Sequence, residues 1–175
     1  MTDSTATPSA WLVANATFLP PAGVALDVAC GRGRNTFWLA AHGFIVEAID
    51  RNAEAIAAIA REAAARQLAV SATVADLEIG APDLGESRYD LILVVNYLHR
   101  PLFPQLVAAL RPGGVLVYET FTRAQARRGK PTNPAFLLEP EELRARAADL
   151  TLLADREGTF EGRDVASIVA RKPMR

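Results

Sequence analysis

The sequence predicts an α/β fold, a Rossmann-like doubly wound sheet of about seven mostly parallel strands with helices on both faces. Short β-type apolar runs alternate with longer helical patterns, which is typical of βαβ units around a parallel sheet. The run at 91–95 is nearly continuous in Leu, Ile and Val, as expected for a central strand covered on both faces. The chain has 175 residues, of which 50% are hydrophobic, and this favours a single domain over 1–175 with one core.

The strands are predicted from short apolar runs bounded by turn residues or acids. They are expected at 24–29, 44–49, 70–75, 91–95, 115–118, 150–154 and 165–170. The turn residues at 111–114, Arg-Pro-Gly-Gly, are expected to separate the fifth strand from the helix before it.

Helices are predicted where apolar residues follow a helical period and a capping residue precedes them. Asn35 is expected to cap a helix that ends at Ala41, and Asn52 to cap a helix at 53–66 with an apolar stripe. Further helices are expected at 102–110 and 139–148, irregular loops at 78–88 and 122–134, and a short N-terminal helix or lid within 1–22, ahead of a core at 23–172.

Charge and cysteine content exclude several classes of protein. Lys plus Arg number 19 against 20 Asp plus Glu, a net charge of -1, which argues against nucleic acid or a membrane surface as a partner. The one cysteine, Cys30, cannot form an internal disulfide, and no Cys/His spacing suggests a metal site. No apolar stretch approaches the ~20 residues of a membrane span, and no signal peptide is recognisable at the N-terminus. We therefore expect a soluble cytoplasmic protein, with its oligomeric state left open.

Polar residues follow four successive strands of the predicted sheet, where ligands of open α/β sheets bind. They are Asp27, Gly31 and Gly33 at the first strand, Asp50 at the second, Asp76 at the third and 96–100 at the fourth. The glycines allow close approach of a ligand, and the two oxygens of Asp50 can accept hydrogen bonds from both hydroxyls of a ribose. A nucleoside site is therefore predicted at this edge.

A nicotinamide dinucleotide is the first alternative ligand for this site. Its G-x-G-x-x-G pattern fails because Thr36 stands where the third glycine is needed. Asp27 would also repel a pyrophosphate, whereas it suits a ligand with a cationic amino acid end. S-adenosylmethionine has such an end.

The stretch Leu26-Asp27-Val28-Ala29-Cys30-Gly31-Arg32-Gly33-Arg34-Asn35 resembles the first motif of class I S-adenosylmethionine-dependent methyltransferases. Asp50-Arg51-Asn52 resembles the family's ribose motif, Ala75-Asp76-Leu77 its adenine motif and 110–114 its turn before strand five. Within the family the chain is most similar to the tellurite-resistance (TehB-like) branch, through 30–35 and 50–53. Ala29 departs from the glycine of many members, and the segment after Tyr118 does not match the tellurite enzymes, so the acceptor is not carried over.

The resemblance implies that the last strand is antiparallel and that S-adenosylmethionine is the cofactor, with S-adenosylhomocysteine as product. The cofactor-binding residues that it implies are Asp27, Ala29, Gly31, Gly33, Asn35, Asp50, Arg51, Asp76, Leu77 and Asn96.

The loop after the fourth strand supplies two candidate catalytic residues, His99 as a base or hydrogen-bond donor and Tyr97 as a packing or lid group. A structural His99 bonded to the backbone is the alternative. The segment 122–134 carries four cations and no acid, and could receive an anionic acceptor or be a solvated loop. Residues 133–137 could form one wall of an acceptor pocket.

These observations favour methyl transfer to a small-molecule acceptor by in-line displacement, which needs alignment rather than a general base when the nucleophile is already anionic. A thiol or a chalcogen oxyanion fits that description. A cofactor-binding module without chemistry of its own is the alternative from a different class, and methylation of RNA or protein is less favoured.

Overall fold

The computed structural model describes residues 7–80 and 82–174. Two parts of the predicted elements, 1–6 of the N-terminal segment and Ala81 of the loop at 78–88, lie outside the described residues. The strands are β1 (Gly23–Val28), β2 (Phe44–Asp50), β3 (Val70–Val74), β4 (Tyr89–Val95), β5 (Leu110–Phe121), β6 (Thr151–Phe160) and β7 (Arg163–Arg171). The helices are α1 (Ala10–Ala14), α2 (Arg34–Ala41), α3 (Ala53–Ala65), α4 (Phe103–Ala109) and α5 (Glu142–Arg146).

The strands form one sheet in the order β3-β2-β1-β4-β5-β7-β6. The pairs from β3 to β5 are all parallel, whereas β7 runs antiparallel to both β5 and β6. The order reverses between β1 and β4, and this switch point places the ends of β1, β2 and β4 side by side. The predicted doubly wound sheet with an antiparallel last strand is confirmed.

Helices cover both faces of the sheet and bury two apolar layers. Leu12 of α1, Leu39 of α2 and Val46 of β2 pack on one face, where Ile56 and Ile59 of α3 continue the layer. Phe103 and Leu106 of α4 and Leu143 of α5 pack on the other face. β4 lies between the layers, and its residues Leu91 to Val94 are all buried, as the continuous apolar run predicts. No helix in the described part of the chain is long and apolar enough to cross a membrane.

The N-terminal helix α1 is anchored to the body of the protein. The side chain of Ser9 caps the helix by accepting from the Leu12 N–H, and Trp11 is buried with its indole N–H donating to the Ile168 carbonyl at 3.1 Å. The Ser9 N–H donates to Asn35 Oδ1 at 2.8 Å. Residues 9–18 thus contain the expected short helix, and the buried Trp11 anchors it to the core.

Local signals placed α3 correctly, because Asn52 Oδ1 accepts from the Ala55 N–H as predicted. The prediction that Asn35 caps α2 is wrong. Gly33 is the N-cap residue, and the Asn35 side chain is instead occupied by Ser9. The helix predicted at 139–148 is also shorter, since α5 spans only Glu142–Arg146.

The predicted boundary before the fifth strand is wrong as well. β5 begins at Leu110, so the turn residues at 111–114 belong to the strand, which contains an irregularity opposite Tyr89–Leu91. The Gly113 N–H donates to the Lys172 carbonyl and the Lys172 N–H donates to the Gly114 carbonyl, both at 2.9 Å. These sheet-type hydrogen bonds to the far end of the chain replace a local turn.

Gly33 is required by packing as well as by its left-handed backbone. Its φ is 81°, and an added Cβ would lie 2.8 Å from Ile59 Cγ1. Gly31 also has a positive φ, 57°, but a Cβ there would meet nothing within 4 Å. We expect Gly33→Ala to lower the free energy of unfolding by about 2–4 kcal/mol, through strain and overpacking.

Gly31→Ala is the matched control, with an expected loss of about 1 kcal/mol from backbone strain alone. Urea unfolding of both variants measures the difference. Equal losses of unfolding free energy in the two variants would show that a Cβ at position 33 does not disturb the packing against Ile59.

Candidate functional site

Two adjoining clefts lie at the carboxyl ends of the parallel strands. The first cleft has a volume of about 230 Å³. Its lining comes from the ends of β1, β2, β3 and β4 and consists of Ala29, Asp50, Arg51, Ala75, Asp76, Leu77, Asn96 and Tyr97. The parallel strands therefore bring the predicted nucleoside-side residues together, although they are far apart in sequence.

Asp50 is held in place by backbone N–H groups from two loops. Its Oδ2 accepts from the Gly31 N–H and its Oδ1 from the Asn52 N–H, both at 2.8 Å. Each carboxylate oxygen has a further lone pair for a ligand hydroxyl. The same hydrogen bonds tie the turn after β1 to the end of β2, so the two motifs form one rigid edge of the first cleft.

The turn after β1 has an unusual backbone. Ala29 adopts φ 53° and Gly31 φ 57°, both in the left-handed region that L side chains rarely occupy. Ala29 stands where the resemblance leads one to expect glycine, and the structure shows that the position needs a left-handed conformation. Alanine, with the smallest side chain, adopts it at a modest cost in strain while keeping the turn open toward the first cleft.

Asp27 lines neither of the two clefts and is 2% exposed. Its Oδ2 accepts from the Thr36 hydroxyl at 2.6 Å. Burial raises the pKa of the Asp27 carboxyl to about 7, and the Thr36 hydrogen bond and the charge of Arg34 oppose that rise only in part. A cation brought close to a buried carboxyl stabilises its ionised form.

The second cleft is larger, about 570 Å³, and shares Arg51, Asn96 and Tyr97 with the first. The remaining lining combines side chains from the loop after β4, the end of β5 and the segment that follows β5: Leu98, Thr120, Phe121, Lys130, Pro131, Thr132, Asn133 and Phe136. Two cations, Arg51 and Lys130, are present in this lining, and it includes no acid, histidine or cysteine.

Tyr97 stands between the two clefts. Its hydroxyl is buried and has no hydrogen-bond partner among residues 7–80 and 82–174, which is rare for a buried polar atom. Burial raises the pKa of Tyr97 to about 12, and the carboxylates of Glu78 and Asp76 add to the effect. The hydroxyl therefore stays protonated at neutral pH and is suited to donate a hydrogen bond rather than to act as a base.

The basic segment 122–134 is largely exposed, as a solvated loop would be, but Gln125 anchors it to the body of the protein. The Gln125 side chain is buried, accepts from the Asp164 N–H at 2.9 Å and donates to the Lys130 carbonyl at 3.1 Å. Two of the four predicted cations are neutralised, because Arg123 pairs with Glu139 and Arg128 with Asp164. Of the four, only Lys130 lines the second cleft.

The other predicted residues lie elsewhere. Asp27 and Gly31 are at the base of the turn, Gly33 packs against Ile59, and Asn35 binds the N-terminal segment. His99 lines neither cleft, and its carbonyl accepts from the Leu102 N–H at the start of a short 3₁₀ turn. Of the two candidate catalytic residues, the structure brings only Tyr97 to the clefts. Cys30 is buried, and burial raises the pKa of its thiol, so it is not poised as a nucleophile.

Sequence reasoning missed a buried charged cluster beside Asn96. Glu119 of β5 is 1% exposed and accepts from the Ser167 hydroxyl at 2.6 Å and from Arg156 at 3.1 Å. Arg163 connects it to the site, because this guanidinium donates both to Glu119 and to Asn96 Oδ1 at 3.3 Å. The signal available was an acid directly after an apolar run, but its partners lie on β6 and β7.

A metal centre has no support in the described ranges. No group of three or more His, Cys, Asp or Glu within 7–80 and 82–174 is arranged to hold an ion.

The sequence model of the family described as "Tellurite resistance protein TehB" matches residues 3–151. The chain is 30% identical over 168 residues to Hemagglutinin 1 of Eikenella corrodens, covering 85% of this chain and 54% of that protein. It is 33% identical over 103 residues to ubiquinone biosynthesis O-methyltransferase of Coxiella burnetii, covering 56% and 43%. The chain thus spans about half the length of the curated relatives that it matches.

Among solved structures, TehB from Haemophilus influenzae superposes with a TM-score of 0.76 at 23% identity, over 92% of this chain and 61% of that one. This similarity establishes a shared fold.

The raised pKa of Asp27 makes a prediction about stability. In the unfolded chain an aspartate titrates near 3.9, so the folded state binds the proton more tightly than the unfolded state. The Asp27 contribution is therefore favourable at low pH, is lost as the pH rises from about 4 to about 7, and stays lost above that. We expect Asp27→Asn to gain on the order of 2–4 kcal/mol relative to the native sequence between about pH 5 and about pH 8.

Urea unfolding of both proteins at the two pH values isolates the contribution of Asp27 to the free energy of unfolding, because all other titrating groups are common to both. A constant difference between the two proteins would mean that Asp27 is ionised throughout and that burial is not the controlling effect.

Proposed function

Because the chain belongs to the family of the tellurite resistance protein TehB, we propose that it transfers a methyl group from S-adenosylmethionine to a small-molecule acceptor. Family and fold are those of class I S-adenosylmethionine-dependent methyltransferases. The first cleft would bind the nucleoside, and the second cleft, which shares Tyr97 and Asn96 with it, would bind the acceptor.

The described residues fit this cofactor. Asp50 offers a free lone pair on each oxygen to the ribose hydroxyls. Asp76 and Leu77 also line the first cleft, where a polar and an apolar group would receive the adenine. Asp27, buried and short of a counter-charge, would be relieved by the ammonium of the amino acid end.

The observation that carries the acceptor assignment is the charge of the second cleft. Its lining contains Arg51 and Lys130 but no acid, histidine or cysteine, and Tyr97 stays protonated at neutral pH because burial raises its pKa. No group in that lining is suited to remove a proton from a neutral amine or hydroxyl. The acceptor is therefore a nucleophile that is already anionic near neutral pH, such as a thiolate or a chalcogen oxyanion.

The chemistry needs little more than placement. Bound S-adenosylmethionine supplies a methyl group on a sulfonium: the nucleophile's electron pair forms the new bond to the methyl carbon, and the electrons of the broken bond return to the sulfonium sulfur. Charge is lost on both sides, so no proton has to move. Holding both partners in line is worth about 7–11 kcal/mol of the barrier. The rigid edge between Gly31 and Asp50 and the anchored segment 122–134 are the parts of this chain that hold them.

Asp50 provides the most direct test of cofactor binding. We expect Asp50→Ala to weaken binding of S-adenosylmethionine at least about thirtyfold, because it removes the acceptors of the ribose hydroxyls and leaves the Gly31 N–H unpaired. Calorimetric titration measures the affinity, and thermal unfolding without ligand shows whether the variant is folded.

Asp149→Ala is the charge-matched control, since Asp149 is exposed and lies beyond α5. It should bind the cofactor as the native protein does. If Asp50→Ala bound as tightly as this control, the assignment of the first cleft would be wrong. If the native protein bound the cofactor and transferred its methyl group to no thiol or oxyanion, the chain would be a binding module and not an enzyme for these acceptors.

A further inference from the structure

The second cleft is too large for an inorganic acceptor. Its volume of about 570 Å³ falls in the range of about 300–1,000 Å³ that is typical of sites for organic ligands. A chalcogen oxyanion is only a few atoms in size and would leave most of this space to water. The lining of the second cleft also includes four large apolar side chains, Leu98, Phe121, Pro131 and Phe136.

An apolar wall lines much of the second cleft. Leu98 is buried, Phe121 and Pro131 are half-buried, and Phe136 is 44% exposed. A large aromatic side chain left this open beside a cleft is typical of a surface that an apolar ligand covers. Each Å² of apolar surface that the ligand removes from water contributes about 25 cal/mol, and an inorganic anion would gain none of this.

Cations stand on the lining beside this wall. Neither Arg51 nor Lys130 forms an ion pair within 7–80 and 82–174, whereas Arg123 and Arg128 of the same basic segment are both paired. Lys130 and Phe136 both lie on the stretch of chain between β5 and α5, and Arg51 lines both clefts. A ligand with a negative group at the end remote from the cofactor would meet Lys130.

The backbone that carries Lys130 and Phe136 is anchored before any ligand binds. Gln125 donates to the Lys130 carbonyl and accepts from the Asp164 N–H, and Asn133 caps the short turn that carries Phe136, with its Oδ1 accepting from the Ala135 N–H at 3.0 Å. Preorganisation of this kind lowers the entropic cost of binding. Tyr97 lines both clefts and therefore lies where a ligand in the second cleft would come closest to the first.

We propose that the acceptor is an amphipathic organic anion: an aromatic-sized apolar body that packs against Phe136, with a thiolate toward Tyr97 and a carboxylate toward Lys130. This inference rests on the proposed function and narrows its acceptor. The thiolate sulfur forms a bond to the methyl carbon as that carbon's bond to the sulfonium breaks, which leaves two neutral thioethers and the carboxylate unchanged.

The test compares four acceptors with the full chain and labelled S-adenosylmethionine: para-mercaptobenzoate, benzenethiol, sulfide and tellurite. We expect kcat/KM for para-mercaptobenzoate to exceed that for benzenethiol at least tenfold, and that for sulfide or tellurite by more. Lys130→Met should lower the ratio of kcat/KM for para-mercaptobenzoate to that for benzenethiol about tenfold, through a higher KM for para-mercaptobenzoate. Phe136→Ala should lower kcat/KM for both aromatic acceptors more than for sulfide.

Arg123→Met is the matched control, a cation of the same segment that is already paired with Glu139, and it should leave every ratio unchanged. Equal or better use of sulfide or tellurite, with the cofactor bound, would overturn the inference and leave the proposed function intact. An unchanged ratio in Lys130→Met would also overturn it. Failure of the folded native protein to bind S-adenosylmethionine would overturn both proposals.

Discussion

A buried carboxyl in the middle of the sheet organises this protein. Asp27 lies on β1 between β2 and β4, is almost fully buried, and has the Thr36 hydroxyl as its hydrogen-bond donor. Because burial raises its pKa to about 7, keeping it ionised costs stability that the rest of the fold has to supply. Such a cost is typical of a group that waits for a charged ligand. The position of Thr36 depends on α2, which starts at Gly33, and the start of α2 depends on the close packing of Gly33 against Ile59.

The two clefts are lined by partly different parts of the chain. The first cleft is made by the ends of the parallel strands, and the hydrogen bonds of Asp50 lock its edge. The second cleft borrows Arg51, Asn96 and Tyr97 from that edge and adds the segment after β5. Arg163 donates a hydrogen bond to Asn96 Oδ1 and also contacts the buried Glu119. In the proposed function, cofactor binding would depend on the strand ends of the sheet, whereas the choice of acceptor would depend on a segment that contacts β7 through Asp164.

The parts of the fold that local signals specify were predictable from sequence. Asn52 caps α3 as its spacing suggested, and the apolar run of β4 is central and buried. The errors come from contacts between residues distant in the chain. Gly113 and Gly114 bond to Lys172, so that β5 begins earlier than a Pro-Gly-Gly turn suggests. Asn35 is occupied by the backbone of Ser9, which no helix-capping rule foresees. For the site, strand ends identified the first cleft through Asp50, Asp76 and Leu77, and the segments 122–134 and 133–137 were expected near the acceptor. That Lys130, and not the other cations of 122–134, lines the second cleft follows only from the path of the chain after β5.

In the proposed function, Asp27 would be the partner of a cation that arrives with the cofactor. Calorimetry measures the proton that Asp27 would then release. Native protein and Asp27→Asn would be titrated with S-adenosylmethionine at a pH of about 6, in buffers of different ionisation enthalpy, so that the protons exchanged on binding are counted. At this pH most of the Asp27 carboxyl is protonated, because its pKa is raised to about 7. We expect binding to the native protein to release a large fraction of one proton, and we expect no such release from Asp27→Asn. Binding without proton release, or with the same release in both proteins, would contradict it.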